Sequence, residues 1–202
     1  MIKDKNVGYK WKFEYISASE FGTDVISGDV DLVGFATSGC TYEEVGTTGV
    51  GGWTFPLSGD TVRYMMTRPS HWDIDNDIFV RVIYATGSTT SADTITWKVL
   101  HSRNAFGAAP AAPTTELDTL IAQDTLTGAA AASEVRASPA GKIDASTIVD
   151  TSDFLVFDVE LDAFAAGLTE SKQMLGLEFA YVPKLTEFPQ QAPDLQTADP
   201  WS

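Results

Sequence analysis

The sequence predicts an all-β fold: an antiparallel two-sheet sandwich of the jelly-roll kind, with extended N- and C-terminal arms. Three observations predict it. Short segments alternate large apolar with polar residues at period two, turn-forming Gly, Pro, Asp, Ser and Thr bound them, and helical periodicity is nearly absent. At 202 residues the chain is long enough for one substantial domain, burying roughly 70% of the surface its unfolded form exposes, and short for two.

Asp31 to Ala36 and Gly52 to Leu57 read as the first strands of the sandwich. In Thr61 to Thr67, Val62, Tyr64 and Met66 share a face opposite Arg63, Met65 and Thr67. In Asp77 to Thr86, Ile78, Val80, Val82 and Tyr84 oppose Phe79, Arg81 and Ile83. Asp93 to His101 alternates most cleanly, with Ile95, Trp97 and Val99 against Thr94, Thr96 and Lys98. That pattern describes one buried and one wet face. Leu117 to Leu126 and Ile143 to Val149 follow. Late in the chain Leu155, Phe157, Val159 and Leu161 oppose Asp158, Glu160 and Asp162, and Leu175, Leu177, Phe179 and Tyr181 oppose Gly176, Glu178 and Ala180. About eight to ten strands with aromatic inward positions and Gly-rich turns favour a jelly-roll, with an immunoglobulin-like sandwich as the competing architecture. Ala105 to Thr115 and Thr127 to Gly141, rich in Ala, Pro, Gly and Ser, read as long surface loops or one short helix each.

Both ends break this rhythm, which divides the chain into an N-terminal arm (1–25), a jelly-roll domain (26–184) and a C-terminal tail (185–202). The arm holds Tyr9, Trp11, Phe13 and Tyr15 at alternate positions, and the tail carries Phe188 and Trp201. Large aromatics left in water imply a partner, so these six residues are the candidate interface, ordered by what they bind. The same alternation also suits a strand added to a sheet edge.

The charge balance, 13 Lys and Arg against 28 Asp and Glu, gives −15 and a pI near 4.3. Such a chain repels phosphate backbones and anionic lipid, so neither direct nucleic-acid binding nor membrane binding is expected. Cys40 is the only cysteine, which excludes an internal disulfide and suits assembly in a reducing cytoplasm. The N-terminus has no apolar signal region, and no apolar run approaches 18 residues.

Chemistry-bearing patterns are sparse. His71 and His101 fall in different contexts, and no GxSxG elbow occurs. Asp158, Glu160 and Asp162 share a strand face and could line a sugar-cleaving groove, but they also suit the solvated side of an amphipathic strand. Asp73, Asp75 and Asp77 alternate like calcium ligands, yet Ile78 and Tyr84 stand where the EF-hand pattern needs Gly and Glu. Val50-Gly51-Gly52 leads into a strand rather than a helix, so it reads as a turn. No catalytic residue, cofactor or metal is therefore expected.

The segments Trp53-Thr54-Phe55-Pro56, Arg68-Pro69-Ser70-His71-Trp72-Asp73, Phe79-Val80-Arg81-Val82-Ile83-Tyr84, Thr96-Trp97-Lys98-Val99, Leu155 to Asp162 and Met174-Leu175-Gly176-Leu177-Glu178-Phe179-Ala180-Tyr181 together resemble jelly-roll decoration, or cement, proteins of tailed-bacteriophage capsids, especially those of marine and freshwater phages. The resemblance covers roughly the last two-thirds of the chain, and its distinctive parts are the Pro-x-x-Trp-Asp corner and the closing Leu-Gly-Leu-Glu-Phe-x-Tyr strand. It implies a non-enzymatic virion structural protein, assembled in the host cytoplasm. It further implies a homotrimer seated between capsomers, with termini reaching onto the major capsid protein. Many such proteins carry Arg followed by Asp in the late strand, where this chain has Glu160-Leu161-Asp162, so a role tied to that arginine does not transfer. The alternative expectation is a tail-associated or receptor-facing module of a virion that binds glycans.

Overall fold

The computed structural model describes residues 12–18, 39–68, 72–73, 75–86, 93–109, 113, 115–116, 122–126, 134–145, 154–168 and 171–183. Among these the regular elements are strands, in two antiparallel sheets. The first sheet contains β1 (Lys12–Ser17), β2 (Thr41–Glu44), β3 (Gly51–Thr54), β5 (Ile78–Thr86), β9 (Glu134–Ala137), β10 (Gly141–Ile143) and β12 (Gln173–Tyr181). The second contains β4 (Thr61–Thr67), β6 (Thr94–Asn104), β7 (Thr115–Glu116), β8 (Ala122–Thr125) and β11 (Phe154–Phe164).

Two pairs of short strands are each one strand interrupted. β7 and β8 both pair with β6, and β9 and β10 both pair with the same edge of β5. The second interruption is Ser138-Pro139-Ala140, where proline has no N–H to give the ladder. Ser138 bridges the gap: its N–H donates to the Val82 carbonyl at 2.9 Å, and its Oγ accepts from the Val82 N–H at 2.9 Å. With these halves joined, the sheets run β2-β3-β12-β5-(β9, β10), with β1 also paired to β12, and β4-β11-β6-(β7, β8). The chain passes back and forth between the two, which is the jelly-roll path expected from the sequence.

Period-two alternation positions the core as expected for most strands. Val62, Tyr64, Ile78, Val80, Val82, Tyr84, Ile95, Trp97, Val99, Leu155, Phe157, Val159 and Leu161 all enter one buried cluster between the sheets. Edge-to-face ring contacts, the arrangement favoured by the aromatic quadrupole, cross the gap. Phe157 meets Phe179 at 5.3 Å, and Trp97 packs on Phe55 at 5.2 Å with Tyr84 tilted against it at 5.6 Å.

Leu175 corrects the expected pattern. Leu177, Phe179 and Tyr181 face the core, but the register against β5 shifts between Met174 and Gly176. The extra residue reverses the facing of everything before it. Met174 therefore enters the main core, while Leu175 turns outward and packs with Val45, Ala85 and Ile83.

For Lys12–Ser17 the structure selects the second of the two expected readings, a strand added to a sheet edge. This part of the predicted arm is strand β1, paired antiparallel with Gly176–Tyr181 of β12 on the edge that β3 occupies farther along. Its inward residue Ile16, and Ala18 just after it, are buried within the main cluster, so this stretch is ordered by its own sheet rather than by a partner. The expected strand at Asp31 to Ala36 and the C-terminal tail lie outside the described residues.

Candidate interaction surface

Strand β1 has two unlike faces because its residues alternate along six positions paired with β12. Glu14 stands opposite Phe179 and Ile16 opposite Leu177, on the core side. Phe13 opposes Ala180 and Tyr15 opposes Glu178, on the outer side, where both aromatic side chains are 51% exposed. Two of the six candidate interface residues thus share one outward face. The other four, Tyr9, Trp11, Phe188 and Trp201, lie outside the described residues.

The outer face continues in register across the sheet. One row runs Phe13, Ala180, Phe79 and Lys142, and the next runs Tyr15, Glu178 and Arg81. Arg81 holds Glu178 at 2.7 Å, a cross-strand pair that neutralises both charges beside the rings. Tyr15 is fixed by its hydroxyl, which donates to the Leu175 carbonyl at 2.6 Å. Burial, then the neighbouring Tyr42 and the negative charge of Glu178, hold the Tyr15 phenol above its ordinary value, so it remains a neutral donor. At the far edge Lys142 lies 3.3 Å from Asp77.

Burying the exposed halves of two aromatic rings removes on the order of 200 Å² from water, worth about 5 kcal/mol before association costs. A specific interface needs about 800 Å² per partner, so the pair can anchor a docking face but cannot be the whole of it.

The carboxylates that alternate along the strands and turns have separate partners. Asp158 accepts a bidentate contact from Arg63 at 2.6 and 2.7 Å, and Lys98 stands 3.8 Å from Glu160. These are cross-strand pairs on the outer face of the second sheet, with Asp158 opposite Arg63 and Glu160 opposite Lys98. The Asp73, Asp75, Asp77 run diverges in the same way. Asp73 accepts from the Asp75 N–H at 3.2 Å and the Asn76 amide at 2.7 Å, whereas Asp77 accepts from the Ala145 N–H at 2.9 Å. Among the described residues no three His, Cys, Asp or Glu side chains gather as a metal site, and no helix is long and apolar enough to cross a membrane. His101 is buried on the core side of β6, 6.5 Å from the Phe157 ring; His71 lies outside the described residues.

One cluster was not anticipated. Asp124 of β8 accepts from the Tyr84 hydroxyl at 2.5 Å and from Arg136 Nε at 3.0 Å, tying the second sheet to β5 and β9 of the first. No local signal could have found it, since the three residues are 40 and 12 positions apart and two of them flank an Ala-rich stretch.

The chain matches no protein-family model and no curated protein. Among solved structures it is similar to a carbohydrate-binding module from Cellvibrio mixtus lichenase 5A in complex with cellotriose, at 13% identity and a TM-score of 0.41, covering 82% of this chain and 95% of that one. A xylan-binding module gives 13% identity and 0.41, covering 87% and 100%. A carbohydrate-binding module specific for non-crystalline cellulose gives 8% and 0.37, covering 85% of each chain. At these identities and scores the likenesses assign no ligand to this chain.

Proposed function

We propose that this protein is a non-enzymatic structural component of a virus particle, decorating a phage capsid and bridging subunits of the major capsid protein as a homotrimer. The observation that carries the reading is the outward pair Phe13 and Tyr15, both half-exposed on an edge strand locked to the sheet. Large aromatics held rigidly at a surface lose little entropy on docking and supply the residue types that anchor interfaces. The sequence resemblance in the Trp72 corner and the closing strand points to the same class. The two motifs are one structural unit: Trp72 pairs with Pro183 and packs on Phe179 and Tyr181 at 5.7 and 5.6 Å.

The test is binding of the purified chain to empty, undecorated shells from the same source, beside a variant carrying Phe13→Ala and Tyr15→Ala. Saturable, stoichiometric binding that the double variant loses supports the reading. No binding to shells at any concentration removes it.

A glycan-binding virion module is the second reading. It draws on the same face, where two exposed rings stand about 7 Å apart along the strand beside the hydrogen-bonding Arg81–Glu178 pair. Binding to a glycan array, lost in the same double variant and accompanied by failure on shells, selects it.

A further inference from the structure

We propose that the edge of β12 from Gly176 to Tyr181 is a strand-acceptor groove that takes β1 from a second copy of this chain as well as its own, so that neighbouring copies exchange N-terminal strands.

The groove is shaped for this one strand. A Cβ on Gly176 would overlap the Ile16 carbonyl oxygen and crowd the Tyr15 ring, so the glycine is a notch cut for β1. Ile16 and Ala18 are buried beside it, and the Trp53 indole N–H donates to the Ala18 carbonyl at 2.8 Å, closing the far end. Together with the Tyr15 hydroxyl on the Leu175 carbonyl, these contacts fix the register. All of them join β1 and Ala18 to β3 and β12.

Chain length leaves the choice of copy open. Twenty residues, 19–38, separate Ala18 from Gly39. Extended, that connection reaches about 65–70 Å, whereas a domain of this size is roughly 40 Å across. The contacts formed within one copy and between two are the same, so concentration decides between them, as in other strand exchanges. A linker of about twenty residues supplies an effective concentration on the order of millimolar. Exchange is therefore minor in dilute solution and competes on equal terms once copies are held at comparable density. The outward rings of Phe13 and Tyr15 travel with the strand and keep their positions on the outer face of whichever copy receives it.

The experiment uses two single-cysteine full-length chains in a Cys40→Ala background, one carrying Phe13→Cys and the other Ala180→Cys. These positions face each other across the β1–β12 ladder. The two chains are mixed over a range from micromolar to about millimolar and oxidised, and the covalent heterodimer is read on a non-reducing gel. A heterodimer fraction that rises with concentration is expected. It should exceed at least tenfold the yield from Phe13→Cys mixed with Val135→Cys, an exposed position on the same sheet away from the groove. Adding Gly176→Val to the Ala180→Cys chain is expected to abolish the excess. Equal yields from the two mixtures, or no heterodimer at any concentration, overturn the proposal. Should a cysteine variant fail to fold, the unmodified chain is held near millimolar, diluted and sized at once. A species of twice the starting mass that decays slowly supports exchange, and a single unchanged species overturns it. No shell or glycan is involved, so failure here leaves the decoration reading standing, and failure on shells leaves the groove standing.

Discussion

Two aromatic groups flank strand β12 and have opposite fates. On its core side Trp72 lies against Phe179 and Tyr181, with Phe157 reaching Phe179 from the second sheet, and Trp72 retains 1% of its exposure. On its outer side Phe13 and Tyr15, carried by the neighbouring strand, keep about half. Residue type is the same in both. What separates them is the parity of their position against β12 and the presence of a second sheet on one side only. An aromatic-rich stretch therefore announces neither stability nor binding until its facing is known.

Four measurements can break or sharpen this contrast. Trp72→Ala should cost about 3–5 kcal/mol of unfolding free energy, the usual range for emptying a large buried aromatic site, read by urea denaturation; a cost below 1 kcal/mol would remove the corner from the core. Asp124→Ala should cost about 1–3 kcal/mol, because it strands the Tyr84 hydroxyl and leaves Arg136 with Glu134 alone, and Tyr84→Phe in the same background should then add little, since their contributions are coupled. A pH profile probes Cys40, whose thiol is pushed from 9.0 up to about 12 by burial and then by the charge of Asp60. The unfolded chain releases that proton first, so the stabilisation is complete below about 9 and is lost as pH rises toward 12. Cys40→Ala should lack this part of the alkaline slope. The smallest effect is expected for Phe13→Ala, which should change stability by less than about 0.5 kcal/mol while weakening shell binding at least tenfold.

Most strand positions and facings were legible because period two is a local property. Val62 to Met66, Ile78 to Tyr84 and Leu155 to Leu161 needed only their own neighbours to be placed. The errors arose where a distant strand decided. Leu175 was assigned to the core because nothing in Gln173 to Leu177 marks a bulge except Gly176, and that glycine is explained by the approach of Ile16, 160 positions earlier. Of the candidate surface, the alternation of Phe13 and Tyr15 was readable. That β1 joins β12, and that Arg81 and Glu178 lie beside it, was not, since register between remote strands depends on the whole sandwich. On the Asp158 and Glu160 face the strand side was readable and its burial was not: Arg63 and Lys98 stand opposite the two carboxylates, and Asp158 is buried rather than solvated.

Those same pairings also shape the charge that the two sheets present. Arg63 with Asp158, Lys98 with Glu160, Arg81 with Glu178 and Arg136 with Asp124 each cancel a charge on or between the sheets. The excess of 15 negative charges is therefore carried by carboxylates outside these pairs, Glu43 and Glu44 of the exposed strand β2 among them. A second molecule meeting these strands would face each pair as a dipole rather than as a bare charge, and the repulsion of a like-charged approach would fall on the carboxylates outside them.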